Sequence, residues 1–261
     1  MVKFYKPDTE SSLKDYQNAC FEVLRRLVHF LDDNNIEYWL DGGSILGLIR
    51  HGDFIPWDDD IDIAMDEKNY SLFRSLAKTG LPGNLSFIDE GSGHMQKGFC
   101  KVLMSEYEMI SPIQGAEYFV YGAYVDVFLM VEYPILPASA KKIFLKKGMQ
   151  VYSAREIGKY SVSLKNALKM LIYILAVGII DLIWKLLPKS NNLANPLGLN
   201  VYSMLHDKDN LFPLQKVKWR DLEVKVPYNC DGYIKELYGK NYMQLPPPEK
   251  QTTHSVKILK N

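Results

Sequence analysis

The feature that most constrains this chain is the run 60-DIDIAM-65, where aspartate alternates with isoleucine. In a strand, successive side chains point to opposite faces, so Ile61 and Ile63 enter a core while Asp60 and Asp62 share the other side. Two carboxylates a few ångströms apart repel unless a cation lies between them or one is protonated. A solvated acidic turn is the plain alternative for any DDD stretch. Here, however, the aspartates of 55-IPWDDDIDIAM-65 are interleaved with Ile55, Trp57, Ile61, Ile63 and Met65. Hard oxygen ligands on a strand favour Mg2+, which keeps several waters and often bridges to substrate phosphates.

A second feature lies just upstream, 40-LDGGSILGLIR-50. It reads as a strand ending in Gly42-Gly43-Ser44, followed by a short helix. Glycines let the backbone approach a ligand closely, and the free N–H groups of a helix start suit a phosphate. Ser44 either adds a hydroxyl to that cradle or caps the helix. Arg50 either completes charge neutralisation or is a surface arginine. Ser44 precedes Asp60 by 16 residues, so the two features read as a phosphate cradle beside a metal platform. Asp126 stands alone among Val125, Val127 and Phe128. A buried unpaired carboxylate is costly, so either a metal or a buried Lys or Arg is expected next to it.

Along the chain, Leu13, Tyr16, Ala19, Cys20, Val23, Leu24, Leu27 and Leu31 recur at helical spacing, which predicts a helix over 11–34 closed by Asn34-Asn35. Strands are expected at 36–43, 60–65, 99–104 and 119–130, and helices at 44–52 and 67–80. This alternation predicts an α/β (α+β) fold, a mixed sheet with flanking helices, over residues 1–135. Residues 136–261 read as a mainly helical region that completes one compact unit. In it 188–198 reads as a loop, 222–227 as a strand and 231–239 as a helix.

Composition narrows the function classes. Lys plus Arg equals Asp plus Glu at 31 each, so no basic excess supports a general nucleic-acid-binding role. Cys20, Cys100 and Cys230 are few and widely spaced, with no CxxC, which predicts free thiols in a reducing cytoplasm. The N-terminus shows no signal-peptide core. The most apolar run, 170-MLIYILAVGII-180, has 11 residues before Asp181. A spanning helix needs about 20, so 168–187 reads either as a buried helix or as a helix lying on the inner face of a cell membrane.

Taken together, 42-GGSILGLIRHGDFIPWDDDIDIAM-65, Lys101, 121-YGAYVDVF-128 and 238-YGKNYMQLPPPEKQTTH-254 resemble the LicD family, which shares its core with fukutin and fukutin-related proteins. The resemblance runs from about residue 20 to 255 and leaves 139–200 without a motif. It implies a nucleotidyltransferase-like fold in which Asp60, Asp62 and Asp126 hold Mg2+. It also implies that Gly42, Gly43, Ser44, Arg50 and Lys101 hold phosphate oxygens, and that Lys250 and His254 reach the phosphates or acceptor. Asp58 would orient the site from behind, and Asp59 would be exposed. The implied reaction moves phosphocholine from CDP-choline to a sugar hydroxyl of a glycan such as teichoic acid or a lipopolysaccharide precursor, releasing CMP. A lipid-linked acceptor is compatible with the same reading.

CDP-ribitol, CDP-glycerol or another CDP-alcohol is the alternative donor. Choline would call for aromatic faces, and Trp57, Tyr118, Tyr121 and Tyr124 are the candidates. A non-catalytic Ca2+ module is the remaining alternative, but the EF-hand pattern is missing, with no glycine at the sixth and no glutamate at the twelfth position counted from Asp58.

Overall fold

The computed structural model describes residues 12–89, 98–113, 116–135, 175, 179, 182, 185–195, 205–253 and 257–260, with the side chains of 105–121 and 257–260 set aside. The chain divides into two units, Met1–Leu129 with Asn210–Asn261, and Met130–Asp209. The boundary therefore differs from the expected 1–135 and 136–261: the segment from Asn210 returns to the first unit instead of forming one block with 136–209.

The first unit opens with α1, Leu13–Asp33. Ser12 starts it by accepting from the Asp15 N–H at 3.1 Å, and Asn35 ends it in the left-handed region, φ 53°. Its apolar stripe is buried along its whole length, from Tyr16 and Cys20 to Leu27 and Leu31. Each fully buried leucine contributes about 1.5–3 kcal/mol, which makes α1 a main wall of the core. After it come β1 (Trp39–Leu40), α2 (Gly42–His51), β2 (Asp62–Asp66), α3 (Glu67–Thr79) and β3 (Leu85–Ile88). Two long strands follow, β4 (Phe99–Ile113) and β5 (Ala116–Pro134). The sheet runs in the order β1-β2-β5-β4, with β3 paired to β4 and the terminal strand β10 (Lys257–Lys260) on β4's edge. The α+β fold with a helix-flanked sheet is thus present.

Two expectations shift locally. The strand expected at 36–43 shrinks to Trp39–Leu40, because Gly42 already starts α2. The region expected as the loop 188–198 contains β6, Lys189–Ala194, in the second unit. There Leu193 and Ala194 pair with Glu132 and Val131 at the end of β5, and Asn192 pairs with Asp207 of β7 (His206–Asp207). Pairing partners, not the weak strand propensity of KSNN, decide that segment.

The returning C-terminal part holds a one-turn helix α4 (Lys208–Leu211), a hairpin β8 (Gln215–Trp219) and β9 (Leu222–Val226), and α5 (Cys230–Tyr238). Arg220 sits in the hairpin turn at φ 55°. Its guanidinium grips both oxygens of Asp53 at 2.9 Å, and the buried Trp219 donates from Nε1 to Asp53 Oδ1 at 3.0 Å. Lys14 adds a third hold on the same carboxylate at 2.9 Å. Asp53 follows α2, so this knot ties the C-terminal hairpin to the segment leading into the acidic run.

Candidate metal and phosphate site

The site is built on the β1–α2 corner and the start of β2. Asp41 is the residue before α2, and its carbonyl accepts from the Ser44 and Ile45 N–H groups at 3.1 and 3.2 Å. Its backbone N–H donates to the Asp62 carbonyl at 3.0 Å. Ser44 Oγ accepts from the Asp62 N–H at 2.8 Å, and the Gly43 N–H donates to Asp62 Oδ2 at 3.3 Å. The DGGS corner is therefore a clasp around Asp62. Ser44 is buried and occupied with strand β2, so its hydroxyl positions the acid.

The two glycines are required here for different reasons. Gly42 has φ 52°, and a Cβ on it would lie 2.4 Å from Asp62 Oδ2. A Cβ on Gly43 would lie 2.4 Å from Asp58 Oδ2. Any larger residue at either position drives an acid out of place.

Asp60, Asp62 and Asp126 come together as the strand reading expects, each offering a carboxylate oxygen within 4.8 Å of the others. Ile61 and Ile63 are fully buried on the opposite side. The Asp126 N–H donates to the Ile61 carbonyl at 2.7 Å, which brings β5 alongside the acidic run. Asp126 meets the buried cation that was one of the two partners expected for it. Lys101, its register partner on β4, bonds its Oδ1 at 2.6 Å, and it also belongs to the carboxylate cluster.

Burial, then the fields of Asp60 and Asp126, holds the Asp62 carboxyl well above the ordinary range. Burial likewise lifts Asp126 to about 7 against the opposing pull of Lys101. Asp58 is lifted to about 8 by burial and by Asp60, with which it shares a hydrogen bond. Asp62 Oδ1 is buried with no hydrogen-bond partner among the described residues. This donor set fits a hard divalent cation, which would relieve the repulsion that the chain itself leaves standing.

The remaining expected residues have the following surroundings. Asp59 is not exposed but fully buried. Its carbonyl lies 4.0 Å from Cys20 Sγ of α1. Asp59 also forms a second carboxylate group with Asp58 and Asp60 within 4.8 Å. Arg50 donates from Nε to His51 Nε2 at 2.9 Å and from Nη1 to the Tyr242 carbonyl at 2.8 Å, so it anchors the C-terminal segment instead of standing free for a phosphate. Lys101 Nζ is directed to Asp126 and lies 3.5 Å from the Tyr124 ring centroid. Trp57 packs edge-on to His51 with ring centroids 6.1 Å apart. Lys250 is exposed in the 3-10 turn Pro248–Lys250. His254 lies outside the described residues, as do the side chains of Tyr118 and Tyr121. Cys20 and Cys100 are buried free thiols, and Cys230 is half-buried and free.

Two residues of the site were missed in the sequence. Asp41 is fully buried; its Oδ1 accepts from Tyr233 of α5 at 2.8 Å, and its Oδ2 has no partner among the described residues. Trp39 Nε1 in turn donates to the Tyr233 hydroxyl at 2.9 Å. An acid directly before a GG helix start was the available signal. Tyr238, the last residue of α5, is 40% exposed, and its phenol is raised by the burial of its polar end and by the fields of Asp62, Asp41, Asp58 and Asp60.

These features define an arrangement consistent with the expected nucleotidyltransferase-like fold: Asp62 at the first position of β2, Asp60 just before that strand and Asp126 on β5, beside a glycine corner at a helix start. Residues 35–111 match the family model described as LicD/FKTN/FKRP, nucleotidyltransferase domain. It is 40% identical over 62 residues to the lipopolysaccharide cholinephosphotransferase LicD of Haemophilus influenzae, covering 24% of this chain and 23% of that protein. It is 50% identical over 91 residues to the ribitol 5-phosphate transferase FKRP of Homo sapiens, covering 34% and 18%. The mannosyltransferase regulator 4 of Saccharomyces cerevisiae shares 32% identity over 71 residues, 27% of this chain and 6% of that protein. The aligned region thus spans under a quarter of the length of each of these relatives.

Proposed function

We propose that this chain is a phospho-alcohol transferase that moves phosphocholine from CDP-choline to a sugar hydroxyl of a cell-surface glycan and releases CMP. The observation that carries the proposal is the convergence of Asp60, Asp62 and Asp126 within 4.8 Å beside the DGGS corner. Mg2+ held by these three residues would supply charge neutralisation on the diphosphate as it is cleaved. The chain's own residues do the rest. Ser44 and the Gly43 N–H fix Asp62, and Lys101 fixes Asp126 through Oδ1. Asp126, held in this way, is the candidate base for the acceptor hydroxyl.

A second reading, CDP-ribitol as donor, is favoured by two observations. The identity to the ribitol 5-phosphate transferase extends over the longer stretch, 91 residues. The face of Tyr124, a candidate wall for a choline cage, already has Lys101 over it. The test is CMP release with Mg2+ and a sugar acceptor, using CDP-choline, CDP-ribitol and CDP-glycerol in parallel, for wild type, Asp60→Asn and Asp62→Asn. The proposal expects one donor to dominate and both variants to lose activity; rates unchanged in the variants overturn it.

A further inference from the structure

The second unit carries a surface that the transferase reading does not use. Residues 139–189 contain ten Lys or Arg against only Glu156 and Asp181, a net of +8 within a chain whose formal net charge is zero. Within this stretch Leu175, Ile179, Leu182, Lys185 and Leu186 are helical. The four apolar residues are exposed, at 58, 59, 58 and 75%. At the helical repeat of about 100° per residue, their sequence intervals of 4, 3 and 4 residues correspond to a single arc of about 60°. Lys185 is exposed too. Among the described residues, no helix is long and apolar enough to cross a membrane.

Charge decides between the occupants such a stripe could take. A second copy of the chain would bring two segments of +8 together, and like charges oppose that contact. A nucleic acid would use the lysines but give four aliphatic side chains nothing to bury against. An anionic lipid surface satisfies both halves: headgroups attract the basic residues, and the aliphatic stripe enters the boundary with the acyl chains. We propose that the segment containing Leu175, Ile179, Leu182 and Leu186 docks this protein on an anionic membrane surface. The inference is independent of which donor the first unit uses.

The test is flotation of the full chain with phosphatidylcholine vesicles, with and without phosphatidylglycerol, at low and raised salt. Wild type is expected to float with the anionic vesicles and to be released by salt. The triple variant Ile179→Ser/Leu182→Ser/Leu186→Ser is expected to lose about tenfold or more in partitioning. All three positions are exposed, so its melting temperature should match wild type. Lys185→Glu/Lys189→Glu, at two exposed lysines, is a second variant expected to weaken binding to anionic vesicles only. Failure of wild type to float, or equal partitioning of wild type and the triple variant, overturns the proposal. So does a wild-type dimer that the triple variant dissolves, which would assign the stripe to self-association.

Discussion

Asp53 and Asp62 are the same residue type nine positions apart in sequence, yet the chain treats them in opposite ways. Asp53 is bonded by Arg220, Lys14 and Trp219, and the guanidinium first among them holds its carboxyl well below the usual range despite partial burial. Asp62 faces other acids, and burial holds its carboxyl well above that range. Both are fixed by neighbours, but only Asp53 is given its counter-charge. An acid whose charge is balanced within the chain is part of the fold. One that is clamped in place among other acids is, on the reading proposed above, where a cation would bind.

The comparison breaks first on activity. Asp62→Asn should lower CMP release on the order of a thousandfold while the fold persists, because several kcal/mol of charge stabilisation is lost with the ligand. Asp53→Asn should stay within a few-fold of wild type in the same assay. Equal losses in the two variants would erase the distinction. Gly42→Ala comes next. A methyl 2.4 Å from Asp62 Oδ2 at φ 52° should cut the rate about tenfold or more and cost about 1–2 kcal/mol of stability, read by denaturant melts. An unchanged rate would mean that the clasp does not set Asp62's position.

The metal gives a third measure. Saturating Mg2+, at about a hundred times its Kd, should stabilise wild type by about 2.7 kcal/mol in thermal shift, and leave Asp62→Asn nearly unmoved. In chelator, the raised carboxyls set the opposite pH slope from Asp53. Asp126 at about 7 and Asp58 at about 8 hold protons more tightly folded than unfolded. Their contribution is therefore full below about pH 4 and is lost as pH rises through 7 to 8. The metal-free protein should melt lower at pH 8 than at pH 6, and Mg2+ should close that gap. The smallest effect is at Asp53. Its lowered carboxyl stabilises above about pH 4 and loses that contribution as pH falls through its folded value. The gap in melting temperature between wild type and Asp53→Asn should shrink steadily below pH 4; a constant gap would show that packing, not charge, does the holding.

Local periodicity carried much of this into the sequence. The alternation of Asp60, Ile61, Asp62 and Ile63 gave the faces correctly, and the apolar spacing of α1 gave a helix within two residues of its ends. Asp126 was legible because a lone acid in an apolar strand must meet something. What was not legible depends on distant partners. Arg220 and Asp53 are 167 residues apart, and nothing near either announces the pair. The hold of Arg50 on the Tyr242 carbonyl, far along the chain, likewise cannot be read from its neighbourhood. Asp59 was misread for a similar reason: its burial comes from α1 lying over the acidic run, a tertiary fact that alternation alone does not contain.

The hydrogen-bonded line from Trp39 through Tyr233 to Asp41 joins the two ends of the first unit. Its consequence concerns time. On the ribosome the acidic strand and its glycine corner emerge early, while α5 follows only after the whole second unit has been made. Until then Asp41 lacks the hydroxyl that holds it, and Asp53 lacks its guanidinium. A nascent chain stalled before Asn210 would therefore leave Trp39 and Asp41 without Tyr233, making the synthesis of α5 the event that closes this side of the site.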